Sequence, residues 1–276
     1  LSNYAPSALQ TEWCAKVAGG EALVVLAHQE RKARYNPKFC DTQAKAAGDV
    51  WTITGAKSVV AAGDHADAWL VPAVANGSIA LFLVAKGASG VTTRGYVTQD
   101  GSRAAELVLS NAPAALVTLK GQEAVAHAVD IGIAALCAEA VGVMDKTLAI
   151  TVDYMNTRKQ FNTTIATFQA LRHRVADMKM QLELGRSMSY YASLKLNTPA
   201  AERHQAMARA KYQMGISMRF VGQQAVQLHG GIGVTDEYIV SHYFKKLTQL
   251  EMTFGDTLHH LGEVSNCMQE TAGVFA

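Results

Sequence analysis

Net charge of either sign is nearly missing from this sequence: 25 Lys and Arg face 23 Asp and Glu over 276 residues, for a formal +2. No surface able to neutralise a run of phosphates is expected, so nucleic acid is excluded as a partner. Proline is sparse at 5 residues, and 49% of the chain is hydrophobic against 17% charged. That balance implies a folded protein and excludes a disordered linker. The four cysteines, Cys14, Cys40, Cys137 and Cys267, stand far apart and form no CxxC pair. A zinc site and a dense disulfide framework are thereby excluded, and a reducing, cytoplasmic location is expected. No apolar run reaches the ~18 to 20 uncharged residues of a membrane-spanning helix, so no membrane span is expected. Leu1–Gln10 lacks the basic-then-apolar order of a signal peptide, and the first residue is not Met, so an upstream segment is expected.

Familiar catalytic constellations are also missing. Gly230–Gly231–Ile232–Gly233 lies between helical stretches rather than after a strand, so it is not the phosphate loop of a dinucleotide fold. There is no HExxH, and adjacent His259 and His260 would point to different sides of a helix, so no metal site is assigned. No serine sits in a GxSxG elbow, and no cysteine stands beside a credible base.

What is present falls into two regimes. From Glu21 to Asn111, β-prone runs alternate with turn residues every few positions. The runs are Ala22–Ala27, Val50–Thr54, Ser58–Ala62, Ala68–Val74, Ile79–Val84 and Glu106–Leu109. They are punctuated at Thr54–Gly55, Gly63–Asp64, Asn76–Gly77, Lys86–Gly87 and Asp100–Gly101, where glycine adopts positive φ at little cost. Beyond Gly121 the period changes. Ile133, Leu136, Ala140, Met144 and Leu148 share one helix face, as do Leu171, Val175, Met178 and Leu182. Helices are expected over 121–157, 165–196, 199–229 and 236–273, the last broken near Thr253–Gly255, with Pro199 marking a helix start. Such long helices need partners, so an up-down four-helix bundle is expected. The fold class is therefore α+β, a middle antiparallel β-barrel or sandwich over 21–112 followed by the bundle over 113–276.

Three segments are more specific together than apart: Thr157–Arg158–Lys159–Gln160–Phe161, then Phe168–Gln169, then Gln227–Leu228–His229–Gly230–Gly231–Ile232–Gly233. Their order and spacing resemble the acyl-CoA dehydrogenase family, which has an R-x-x-F-G segment, an F/H-Q pair and a Q-x-x-G-G-x-G turn. The resemblance spans essentially the whole chain. Ala134–Gly142 and Phe244–His260 look most like small subunits of pimeloyl-CoA dehydrogenases. It implies FAD as cofactor, an acyl-CoA substrate, electron-transferring flavoprotein as electron acceptor, and a place in fatty acid or dicarboxylic acid degradation. It also makes residues 1–20 the remnant of an N-terminal helical domain. In the family, the arginine and the glycine turn reach the ADP half of a neighbour's FAD; carried over, the cofactor-binding residues are Arg158, Phe161, Gln169, Gln227, Gly230 and Gly231. A guanidinium fork and unshielded amides suit a diphosphate.

The sequence departs from the family where proton abstraction is carried out. Gap-free counting from Gln227 places the family's usual catalytic Glu on Phe254, which cannot accept a proton. Relatives that take the base from the first bundle helix have it about seven turns before the arginine; that register holds Gly132, with Asp130 two residues away. Glu251, Asp256 and Glu139 remain as displaced bases, the first two being the catalytic candidates. The family's T-E-P and W-x-T stretches, which cover the flavin in cis, read Gln29–Glu30–Arg31 and Val59–Val60–Ala61. Contacts made in cis are depleted and those made in trans are kept. The implied protein is the less catalytic partner of a larger acyl-CoA dehydrogenase subunit. The alternatives are a competent homo-oligomer using Glu251 or Asp256, and a non-enzymatic oligomerisation scaffold.

Overall fold

Alternating side chains and short turns build a sheet from the first half of the chain. A computed structural model describes residues 1–48 and 50–271. After helix α1 (Ser7–Ala18) come strands β1 (Val24–Leu26), β2 (Gln43–Ala47), β3 (Val50–Ala61), β4 (Ala68–Ala75), β5 (Ser78–Ala85), β6 (Val91–Val97) and β7 (Arg103–Thr118). The β4–β5 hairpin closes on Asn76 and Gly77, both at positive φ (50° and 81°), the geometry that matches the twist of two-residue hairpins. Strand order β4-β2-β3-β7-β5 returns from β5 to β4, so the sheet closes on itself, with β1 added beside β4 and β6 beside β7. β7 makes this possible by changing partners. Its first half pairs with β6 from Val97↔Arg103 to Val91↔Leu109, and its last residues pair with β5 at Leu83↔Ala115 and Leu81↔Thr118. Ile53, Trp69, Val71, Phe82, Leu107 and Leu109 fill the interior.

Two expectations change here. Thr54–Gly55 is no turn: 50–54 and 58–61 belong to the single strand β3, whose pairing with β7 shifts register after Ile53 and again after Lys57. Gly55 is needed for close approach instead, because a Cβ there would lie 2.5 Å from Thr42 Oγ1. The boundary set at 112/113 falls inside β7, and the chain divides into compact units after Ala128.

The second unit contains α2 (Gly121–Thr157) from Val129 on, α3 (Gln169–Lys195), α4 (Ala200–His229), α5 (Ile239–Met252) and α6 (Thr257–Thr271). Helix α3 starts later than expected because Thr163–Thr164 form strand β9, paired with β8 (Lys159–Gln160), and Ile165–Thr167 form a 3-10 turn. The periodic apolar faces meet in a core that includes Ile133, Met144, Met178, Leu182, Met214 and Met218. By length and composition α2 is apolar enough to cross a membrane, which the sequence was not expected to offer; half of its most apolar stretch is buried within the protein.

One ion pair anchors the loop between β1 and β2. Lys57 Nζ donates to Glu30 Oε1 at 2.6 Å with both side chains buried. The same carboxylate accepts from the Asp41 amide at 2.8 Å and the Thr42 hydroxyl at 2.7 Å. Burial alone would raise the Glu30 pKa, but the Lys57 ammonium and these donors outweigh it and hold the carboxyl at about 2. A depressed carboxyl contributes stability above its unfolded pKa, and that stability is lost as the pH falls towards the folded value. Urea unfolding of the β unit should therefore show about 3 kcal/mol lost between pH 4.5 and pH 2 from this group. Glu30→Gln should flatten that slope; an unchanged acid limb in the variant would reassign the effect.

Candidate functional site

Helix α2 ends with the Arg158 amide donating to the Tyr154 carbonyl at 2.8 Å, and the Ile165 amide returns to the Arg158 carbonyl at 2.9 Å. Between them the β8–β9 hairpin turns through Phe161 and Asn162 at φ 54° and 62°. Asn accepts that conformation readily; Phe does so rarely, and the result is a ring standing 86% exposed, edge-on to Phe168 with centroids 6.1 Å apart. Arg158 is exposed, and its guanidinium has no hydrogen bond or ion pair among the described residues. Gln169, also exposed, opens α3.

Helix α4 ends at His229, and Gly230 takes φ 64°, ψ −140°, its amide turned back to the Gln227 and Val226 carbonyls. A Cβ on Gly230 or Gly231 would meet nothing within 4 Å, so this side of the turn is open, and Gln227 is exposed beside it. Gly233 differs. A Cβ there would lie 2.7 Å from the Val226 carbonyl oxygen and 3.0 Å from His229 Cβ, so the turn folds tightly over the helix end. His229 is buried under it, stacked on Tyr154 at 4.4 Å and near Tyr238 at 5.1 Å. Its Nδ1 lies 2.8 Å from the Ala225 carbonyl, which makes Nδ1 the donor. Nε2 is then a buried acceptor with no partner among the described residues, and burial lowers the pKa of the ring. Tyr154 also donates its hydroxyl to the His229 carbonyl at 3.2 Å. Arg158 and the glycine turn are thus joined through one aromatic stack.

The α5–α6 turn holds the positions where a base was sought. Phe254, at φ 59°, lays its ring against Gly132 of α2; a Cβ on Gly132 would come within 2.7 Å of Phe254 Cε2. The two alternative base positions are therefore neighbours in space, and one is a ring seated where the other has no side chain. Glu251 is buried, and its Oε1 accepts from the Thr257 amide at 3.0 Å, the Thr257 hydroxyl at 2.5 Å and Arg219 at 3.1 Å. Asp256 caps α6 by accepting from the His259 amide at 2.8 Å. Glu139 pairs with Lys246 at 2.8 Å on the surface. Asp130 is buried against Arg203 at 2.8 Å, with His204 at 3.5 Å.

A buried lysine and a buried imidazole complete this turn; sequence reasoning passed over Lys211 and weighed His260 only as a metal ligand. Lys211 is fully buried and donates to the Glu251 carbonyl at 2.7 Å and the Gly255 carbonyl at 2.9 Å. Burial lowers its pKa to about 8. His260 Nε2 donates to the Phe254 carbonyl at 3.0 Å, and burial, with Lys211 nearby, lowers its pKa to about 3. A lysine in the middle of an apolar helix face was the available signal for the first.

On the β side, Glu30 and Arg31 border a cleft of about 200 Å³ shared with Lys57, Ser58 and Glu106. Arg31 reaches Glu106 at 3.6 Å and Lys32 reaches Asp41 at 3.3 Å. Val59 stands exposed at φ 52°, a strained conformation for a β-branched residue, and Ala61 offers no hydroxyl. Among the described residues the four cysteines form no disulfide.

Residues 120–265 match the family model described as acyl-CoA dehydrogenase, C-terminal domain. The chain is 26% identical to acyl-CoA dehydrogenase FadE27 of Mycobacterium tuberculosis over 98% of its length and 74% of that protein. It is 29% identical to the short-chain-specific acyl-CoA dehydrogenase of Megasphaera elsdenii, over 72% of this chain and 56% of that one. Among solved structures, the ChsE4-ChsE5 complex from Mycobacterium tuberculosis superposes with a TM-score of 0.85 at 25% identity, covering 98% of this chain and 73% of that one. The chain thus spans from just over half to about three quarters of the length of these relatives. With the closed β unit and the helical unit in the order the motifs implied, the chain belongs to the acyl-CoA dehydrogenase family.

Proposed function

We propose that this chain is the less catalytic subunit of a hetero-oligomeric, FAD-dependent acyl-CoA dehydrogenase, completing the FAD site of a larger partner. In that reaction a carboxylate removes the α proton of an acyl thioester as the β hydrogen leaves as hydride, for which FAD, when bound, would supply the acceptor. The single observation that carries the reading is the Phe254 ring packed on Gly132, because both base positions are then unable to take a proton. Glu251 and Asp256 serve α6 instead: each carboxylate takes up an amide at the positive end of that helix.

The residues that would meet a nucleotide fit the trans role. Arg158, Gln169, Gln227, Gly230 and Gly231 are all exposed, the guanidinium is uncommitted among the described residues, and the glycine face is open. Arg158 would bind a diphosphate oxygen and the glycine turn would let the anion approach the backbone. Phe161 would cover an apolar edge of the ligand. The cis side fits less well, since Val59, Val60 and Ala61 offer neither an indole nor a hydroxyl for a flavin. Likeness to the ChsE4-ChsE5 complex supports an assembly of two kinds of chain. Electron-transferring flavoprotein is the acceptor the family suggests.

Two measurements test this. Acyl-CoA added to the chain alone should leave flavin absorbance unbleached, whereas the native complex bleaches; bleaching by the chain alone would return catalysis to it. In the complex, Arg158→Ala here should weaken FAD binding about ten- to a hundredfold, as expected for a lost charged hydrogen bond. The Phe254–Gly132 contact has its own signature. Ala favours a helix interior over Gly by about 1 kcal/mol, but the overlap should make Gly132→Ala destabilising by about 1–3 kcal/mol. In a Phe254→Ala background the same substitution should become stabilising; urea unfolding of the four proteins reads the sign change.

A further inference from the structure

We infer that Tyr154 and His229 are positioning residues for the nucleotide grip: their stack sets the placement of Arg158 relative to the Gly230–Gly231 turn. The inference rests on the reading above, that both segments hold FAD, and adds what aligns them.

The two segments are far apart in sequence and lie at the ends of different helices, α2 and α4. Each end is soft in itself. Arg158 is past the last residue of α2, and Gly230 is a glycine whose open face leaves its path to be determined by its neighbours. Tyr154 touches both ends. Its carbonyl accepts the Arg158 amide at 2.8 Å, fixing the residue that bears the guanidinium. Its hydroxyl donates to the His229 carbonyl at 3.2 Å, the last carbonyl before the glycines, and its ring lies on the His229 ring at 4.4 Å and 27°.

His229 is locked from below by Nδ1 on the Ala225 carbonyl and from above by Gly233, whose missing Cβ lets the turn close on His229 Cβ. Tyr238, leading into α5, lies 5.1 Å from the His229 ring and 6.0 Å from the Tyr154 ring, so the three rings form one cluster. The imidazole is more than a filler, since Nε2 is buried with no partner among the described residues and so gains nothing from hydrogen bonding there. An apolar ring would fill that space without stranding an acceptor. What imidazole adds is the Nδ1 bond that fixes its rotation, and with it the plane on which Tyr154 stacks.

The test uses the native oligomer carrying Tyr154→Phe, Tyr154→Leu or Arg158→Ala in this chain, with Tyr190→Phe, at an exposed position of α3, as a control. FAD affinity is measured by equilibrium dialysis at a temperature where thermal unfolding shows each variant folded. Tyr154→Phe keeps the stack and loses the hydroxyl bond, so FAD should bind about three- to tenfold more weakly with little change in melting temperature. Tyr154→Leu should weaken it further, and Tyr190→Phe should match the unaltered protein. If Tyr154→Leu does not fold, Tyr154→Phe decides alone. Unchanged affinity in the Tyr154 variants alongside weakened binding in Arg158→Ala would overturn the clamp and leave the parent reading standing. Unchanged affinity in Arg158→Ala would overturn both.

Discussion

The satisfaction of buried polar groups at the break between α5 and α6 is the constraint on which the helical unit turns. A helix that stops inside a packed core leaves carbonyls and amides that water cannot reach, and each must find a partner. Lys211 takes two of the carbonyls, Glu251 and Asp256 take amides of the next helix, and His260 takes the carbonyl of Phe254. With so many bonds fixing it, the turn has one conformation, and that conformation delivers the Phe254 ring to Gly132. The ring at position 254 is thereby part of the scaffold.

The same bonds give the acidic residues near the turn a structural use that their place in the sequence does not show. Glu251 and Asp256 are close in sequence to the expected base, and nothing in their spacing distinguishes a base from a cap. The distinction lies in donors supplied from elsewhere, Arg219 on α4 and the amides of α6, which only the folded chain brings together.

Legibility from the sequence was uneven for physical reasons. The long helices were readable because Ile133, Met144, Met178 and Leu182 recur at helical spacing and end up in one core. Asn76–Gly77 was readable because a two-residue hairpin demands positive φ at both positions. Thr54–Gly55 misled because the same glycine signal arises when backbone needs to approach a neighbour, here Thr42. β2 and β6 went unread: Gln43–Ala47 and Val91–Val97 contain alanine, lysine, glycine and arginine where strands usually carry branched or aromatic residues, and their partners in β3 and β7 impose the conformation. At the site, Arg158 and the glycine turn stood out by motif, but Tyr154 and His229 did not, because a stack between residues 75 apart leaves no local pattern.

The core of the helical unit is unusual in how much sulfur it holds. Met144, Met178, Met207, Met214 and Met218 are all fully buried there, and Gly185 leaves room for the end of Met144. Thioethers on unbranched stems adapt to irregular gaps, so this interior tolerates shifts of its helices better than one filled with branched residues. The cost is chemical: oxidation to sulfoxide would put a polar oxygen into that space, and only continuous close packing keeps peroxide away from it. Any loosening of the bundle would therefore be followed by irreversible loss through these sulfur atoms unless a reductase restored them.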